Sequence, residues 1–155
     1  MSDAKYVLDT NVFINLHRVY PVDVFGTLWA KIEKVIDDGA AISSDEVLGE
    51  LSIDGDALFK WANKRKHIFI RSDDNIQLKV REILKNYPDI LTGTRKANGA
   101  DPFVIALAIL KSCTVVSDET FSGASHPKKI PDVCNAYGVP VMKFIAFLRE
   151  LKIKI

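Results

Sequence analysis

Short apolar runs that stop at polar residues alternate along the chain with longer stretches whose apolar positions recur every three or four residues. Tyr6-Val7-Leu8 is the first run, and it ends in Asp9-Thr10-Asn11, which reads as a buried strand entering a polar turn. Over residues 22–36 the positions Val22, Phe25, Leu28, Trp29, Ile32, Val35 and Ile36 carry helical spacing, and Asp37-Asp38-Gly39 closes that helix. Ala40-Ala41-Ile42-Ser43 is a second strand-like run. It leads through Ser43-x-x-Glu46, the spacing of a capping box, into Val47, Leu48 and Leu51. Between about residues 54 and 87 the pattern is helix, short strand, helix, carried by Leu58, Trp61 and Ala62, then Ile68-Phe69-Ile70, then Ile76, Val80, Ile83 and Leu84. Residues 92–99 are the most loop-like stretch. Asp101-Pro102 opens an eight-residue run, 103–110, that is apolar around its whole circumference, as a helix packed inside the protein requires. Cys113-Thr114-Val115-Val116 is a third strand, stopping at Ser117-Asp118-Glu119. Residues 131–137 read as a helix, 139–141 as a strand and 143–151 as a final helix. This alternation predicts an α/β fold with a parallel sheet of about four to five short strands covered on both faces.

Composition narrows the class. The chain has 155 residues, 48% of them apolar and 26% charged, which fits one globular domain and excludes disorder. Lys plus Arg number 21 against 20 for Asp plus Glu, so the net charge of +1 draws in neither nucleic acid nor a membrane surface globally; any polyanion must be held locally. No apolar run approaches the roughly 18 residues of a spanning helix, so no membrane association is expected. Cys113 and Cys134 sit in apolar surroundings and read as reduced thiols in a cytoplasmic protein. His17, His67 and His126 lie far apart, without zinc-site spacing.

The chemistry is therefore sought among carboxylates. Asp9, Glu50, Asp101 and Asp118 each lie at the C-terminal end of a strand or on the helix entered from it, the edge where open α/β sheets bind ligands. Carboxylates gathered there repel one another unless a hard cation holds them, which points to Mg²⁺ or Mn²⁺. Each has a plainer reading as well. Asp101 before Pro102 is a natural helix cap, Glu46 belongs to the capping box, Glu50 shares a helix face with Glu46 and could be solvated, and Asp118 could shape a turn. Asp9 has the least structural reason to be where it is.

Taken together, these residues resemble the motifs of PIN-domain ribonucleases, including VapC-like toxins. Tyr6 to Ile14, with Asp9-Thr10-Asn11 at its centre, resembles the opening motif. Ser44 with Glu50-Leu51 resembles the second, Asp101 with Ala106 and Ala108 the third, and Ser117-Asp118-Glu119-Thr120-Phe121 the fourth. The resemblance implies a single PIN-like domain over residues 1–155, an α/β/α sandwich in which residues 54–98 form a helical insert or clip region. It also implies Asp9, Glu50, Asp101 and Asp118 as catalytic, metal-holding acids, supported by Asn11 and Ser117. Glu119 stands as an alternative to Asp118, and Glu46 to Glu50. The implied activity is an Mg²⁺- or Mn²⁺-dependent endoribonuclease, the toxin of a toxin–antitoxin pair.

An RNA substrate calls for nearby cations, and Arg95-Lys96 close to Asp101 is the favoured cluster, whereas Lys64-Arg65-Lys66 reads as a solvated face. Implied protein partners are an antitoxin and a second copy of the chain, with Phe25, Trp29 and Trp61 as anchors if they are not core. Two other classes compete. A non-catalytic PIN-like module would hold RNA or protein without cutting it. An aspartyl-phosphate phosphatase would need a second acid two residues after Asp9, where the chain has Asn11, an amide that cannot serve as the general acid.

Overall fold

The protein was analysed as a computed structural model that describes residues 3–91, 98–122 and 128–155. Five short strands, β1 (Tyr6–Leu8), β2 (Ala41–Ser44), β3 (Phe69–Ile70), β4 (Thr114–Val116) and β5 (Val141–Met142), form one sheet in the order β3-β2-β1-β4-β5. Every pairing is parallel, with Val7 opposite both Ile42 and Val115, Ser44 opposite Ile70 and Val116 opposite Met142. The strands are largely buried and apolar, apart from Ser43 and Ser44 at the end of β2 and Thr114 at the start of β4, as a parallel sheet enclosed between helices demands. Among the described residues the helices are α1 (Thr10–Val19), α2 (Gly26–Asp37), α3 (Asp45–Asp54), α4 (Asp56–Asn63), α5 (Asp74–Asn86), α6 (Asp101–Lys111), α7 (Ile130–Tyr137) and α8 (Phe144–Glu150). The α/β sandwich expected from the alternating pattern is the architecture observed.

The centre of the molecule is α6. Val104, Ile105, Ala106, Leu107 and Ala108 are all buried, and the helix lies against β1, β2 and β4 with α5 and α7 packed beside it. The expectation of a helix packed inside holds for its middle, Val104 to Ala108, whereas Leu110 near its end is exposed. A second group, α1, α3 and α4, packs together around Phe13, Val47, Leu51 and Leu58. Residues of the stretch 54–98 supply β3, the edge strand beside β2, and α5, which packs on α6.

Several local expectations are corrected. The polar residues after β1 do not form a turn but open α1, which buries Val12, Phe13 and Leu16. The helix read from residue 22 begins only at Gly26, because Val24 and Phe25 donate their amides to the Pro21 carbonyl and close a turn that leaves Val22 and Val24 exposed. The capping box does not form. Ser43 is still in the strand and donates its hydroxyl to the Leu8 carbonyl at 2.6 Å, while Ser44 caps α3 by accepting from the Glu46 amide at 3.1 Å. That places Val47 at the third helical position where the box needs an acid. Asp101 is not the cap of α6 either: Ala100 occupies that position, and Asp101 is the first helical residue. The last strand, read as 139–141, is Val141–Met142.

The aromatic anchors turn out to belong largely to the core. Trp29 is buried, with its indole N–H donating to the Tyr20 carbonyl at 2.6 Å, and it meets Trp61 edge-on at 5.2 Å. Trp61 donates to Glu33 and carries the Arg65 guanidinium over its ring, while Phe25 stacks edge-on against Tyr20. Arg65 also pairs with Glu33 and Asp37, so it braces α4 against α2 instead of facing a polyanion.

Candidate functional site

After β1 the chain moves outward to β2 on one side of the sheet, and after β4 it moves to β5 on the other. β1 and β4 are neighbours, so the connections leaving their carboxyl ends diverge, and the gap between them is the topological switch point where doubly wound folds bind ligands. Asp9 and Ser117 are the first residues past the two strands, and each prolongs the ladder by one bond: the Asp9 amide donates to the Val116 carbonyl and the Ser117 amide to the Met142 carbonyl, both at 3.0 Å.

A polar lattice occupies this gap. Asp9 is wholly buried, its Oδ1 accepting from the Thr10 amide at 2.7 Å as it caps α1 and its Oδ2 accepting from the Ser117 hydroxyl at 2.8 Å. Ser117 Oγ in turn accepts from the Glu119 amide at 3.2 Å and from Asn11 Nδ2 at 3.4 Å. Asn11 Oδ1 accepts from the Asp118 amide at 3.2 Å. Asn11 and Ser117 thereby fix the loop after β4 against the start of α1.

Glu50 reaches the same place from α3. Its two carboxylate oxygens accept from the Thr10 hydroxyl at 2.6 Å and from the Ala100 amide at 3.0 Å, so it bridges the residue after Asp9 to the residue before Asp101. Asp101 itself is buried at the first position of α6. Glu46 is exposed one turn before Glu50 and takes no part in this bridge.

At the fourth motif the two acids separate. The Asp118 carboxylate accepts from the Phe144 amide at 2.9 Å and from Asn15 Nδ2 at 3.2 Å, tying α8 and α1 together. Glu119 is the one whose charge reaches Asp9. Burial first, then the neighbouring Glu119 carboxylate, and to a lesser degree Glu50, push the Asp9 carboxyl from 3.8 up to about 7, against the pull of its hydrogen bonds from Ser117 and Thr10. Cys134, buried in α7, feels both acids too: burial, with Asp9 and Glu119 adding to it, raises its thiol to about 12. Both cysteines are free and buried.

The acids do not close into a compact cage. Among the described residues no three His, Cys, Asp or Glu side chains stand close enough together to grip one ion. The donor set nonetheless fits a hard cation chemically, because Asp9 is an oxygen ligand whose charge is opposed by burial and by like charge, and a cation would relieve both. Arg95 and Lys96 lie outside the described residues. The sequence reading missed Thr10 as the partner of Glu50 and Asn15 as the partner of Asp118. Both sit on α1, the helix that had no clear apolar signal.

Beside this lattice, running from the carboxyl end of β4 along the edge strand β5, lies a cavity of about 340 Å³. Ser117 and Glu119 form its inner wall, Val139, Val141 and Met142 its floor, and Phe121 and Lys143 its rim. Lys143 Nζ donates to the Asp118 carbonyl at 3.2 Å.

A five-stranded parallel sheet between helical layers, with Asp9 and Glu50 brought together at its switch point, is a PIN-like fold. The chain belongs to the family described as a domain of unknown function, DUF4411, whose model matches residues 6–155. No curated protein matches the sequence. The fold is similar to that of VapBC2 from Rickettsia felis, solved bound to a DNA fragment from their promoter, with a TM-score of 0.52 and 12% identity over 90% of this chain and 98% of that one. It is also similar to FitAcB from Neisseria gonorrhoeae, with a TM-score of 0.50 and 17% identity over 88% of this chain and 96% of the other. At these identities the likeness is one of fold. Among the described residues no helix is long and apolar enough to cross a membrane.

Proposed function

We propose that the protein is a metal-dependent endoribonuclease that hydrolyses RNA phosphodiester bonds and acts as the toxin of a toxin–antitoxin pair. The observation that carries this reading is Asp9, a wholly buried acid at the switch point of the sheet whose carboxyl is raised to about 7 by burial and by the charge of Glu119. A buried acid pressed by like charges is a poor structural choice and a useful ligand for a hard cation. The fold shared with VapBC2 and FitAcB supports the toxin assignment.

Asp9, Glu50, Asp101 and Asp118 would hold Mg²⁺ or Mn²⁺, with Glu119 as the alternative to Asp118, favoured by the charge it brings to Asp9 while Asp118 is hydrogen-bonded to the Phe144 amide and Asn15. When bound, such ions lower the pKa of an attacking water and offset charge on the phosphoryl oxygens. The residues of the chain set the stage for that chemistry. Ser117 holds the Asp9 carboxylate in place through its hydroxyl, the Thr10 amide fixes the other oxygen, and Glu50 is aimed by the Thr10 hydroxyl and the Ala100 amide. Asn11 holds the loop carrying Asp118 and Glu119 against α1. Arg95 and Lys96 would track the RNA backbone. An antitoxin and a second copy of the chain are the protein partners of this reading, and a cytoplasmic setting suits its free buried thiols.

The second reading, a PIN-like module that binds RNA or protein without cutting, is favoured by the separation of the carboxylates, no three of which meet at ligating distance among the described residues. Incubation of the protein with a generic single-stranded RNA separates the two. Cleavage that needs Mg²⁺ or Mn²⁺, stops in excess EDTA and disappears in Glu50→Gln is the expected result; RNA bound but left intact under every metal condition would establish the module instead.

A further inference from the structure

We propose that the cavity beside Glu119 receives one unpaired nucleobase of an RNA strand whose backbone lies along Asp9 and Glu50. This rests on the ribonuclease reading and adds to it a specificity pocket. Three observations select a nucleotide as the occupant. The cavity adjoins the acidic site, since Ser117, which holds Asp9, and Glu119, whose charge reaches Asp9, both line it, so a strand positioned for cleavage has a neighbouring base within reach of it. Its volume of about 340 Å³ and its apolar floor of Val139, Val141 and Met142 suit a small planar ring system.

The rim provides the remaining features that recognise single-stranded RNA. Phe121 is 64% exposed at the cavity edge, an aromatic face open for stacking. Asn135 presents a side-chain amide, with no hydrogen bond among the described residues, that can donate and accept at a base edge. Lys143 is steered to the mouth by the Asp118 carbonyl and makes no ion pair among the described residues, which leaves its positive charge for a phosphate. A protein side chain could use the apolar floor but would have no need of a stacking face, an amide and a cation together.

The test uses single-stranded heptaribonucleotides of each base, labelled for fluorescence anisotropy, together with a series in which one base at a time is replaced by an abasic ribose. Binding is read in EDTA and cleavage in Mn²⁺. Phe121→Ala is expected to weaken binding by about tenfold, with the loss appearing mainly in KM, in keeping with the removal of one base–aromatic stack. Phe121→Trp should restore it. One abasic position should cause a similar loss in the parent and none in Phe121→Ala, since both changes remove the same contact. Because Phe121 is exposed, the melting temperature of the variants should match that of the parent, which keeps a binding loss from being read as unfolding. If the parent cleaves RNA and Phe121→Ala and Asn135→Ala leave its KM and base preference unchanged, the pocket assignment is overturned while the ribonuclease reading stands. If the parent neither binds nor cleaves any of these strands, both are overturned.

Discussion

Replacement of Asp9 by asparagine should make the protein more stable at neutral and alkaline pH while destroying the proposed activity. The unfolded carboxyl ionises near 3.8, whereas the native one is held to about 7 by burial and by the Glu119 carboxylate. Between those values the native state binds a proton that the unfolded state has released, so stability falls as pH rises through this window and is fully present only below it. The loss approaches about 1.4 kcal/mol for each pH unit within the window and levels off around the native pKa, which leaves about 2 kcal/mol between pH 5 and pH 7 and about 3 kcal/mol by pH 8. Asparagine carries no charge to desolvate and keeps an oxygen for the Thr10 amide. It loses the acceptor for the Ser117 hydroxyl, which costs about 1 kcal/mol and does not vary with pH. Urea denaturation of both proteins at pH 5, 6, 7 and 8 in EDTA measures the difference directly. The parent should lose about 3 kcal/mol relative to the variant across this range. Parallel curves, or a variant less stable than the parent at pH 8, would refute the argument that burial and like charge hold Asp9 in a costly state.

Mg²⁺ or Mn²⁺ at millimolar concentration should raise the melting temperature of the parent at pH 8 and leave that of Asp9→Asn unmoved, read by scanning fluorimetry; an equal shift in both would place ion binding elsewhere. Glu119→Gln should flatten the fall in stability between pH 5 and pH 8 by removing the charge beside Asp9, whereas Asp118→Ala should lower stability by about 1 kcal/mol at every pH through loss of its bond to the Phe144 amide, and urea titrations distinguish the two patterns. Glu50→Gln should abolish cleavage and cost about 1 to 2 kcal/mol because both of its oxygens accept hydrogen bonds, while exposed Glu46→Gln should stay within about 0.5 kcal/mol of the parent and cleave normally. Leu107→Ala, in the buried centre of α6, should cost about 2 to 5 kcal/mol by denaturant titration, and a smaller loss would show that the core collapses around the cavity.

The parts of the fold that were legible in sequence are those where burial alone dictates residue type. Residues 103–110 read as a buried helix because no face of them is polar, although Leu110 emerges exposed at its end, and the runs at Tyr6, Ala41 and Thr114 read as buried strands because apolar residues dominate them. α1 was not legible, since its buried residues Val12, Phe13 and Leu16 are embedded among Thr10, Asn11, Asn15 and His17, which serve the site and the surface. The capping assignments failed by one residue each. Ser43 and Ser44 are chemically equivalent as caps, and what distinguishes them is the Leu8 carbonyl on the neighbouring strand, a contact 35 residues away in the chain that no local pattern contains.

The same reasoning explains why the motif Ser117-Asp118-Glu119 could not be resolved from sequence. A loop leaving a parallel strand presents consecutive side chains to different surroundings, and which acid faces the switch point depends on what else competes for it. Here Asn15 and the Phe144 amide compete for Asp118 and draw its carboxylate towards α1 and α8. Asn11 holds the Asp118 backbone, Ser117 holds that of Glu119, and the Ile130 amide takes one Glu119 oxygen at 3.2 Å. Glu119 is thereby kept within electrostatic reach of Asp9 while remaining partly open to the cavity beside it. An acid whose carboxylate joins helices adds stability through those hydrogen bonds, as Asp118 does with the Phe144 amide and Asn15. An acid that raises the pKa of a buried neighbour subtracts from stability there, as Glu119 does. A loss that does not vary with pH at Asp118 and a flattened pH dependence of Asp9 on loss of the Glu119 charge give structure and chemistry separate observables before any substrate is known.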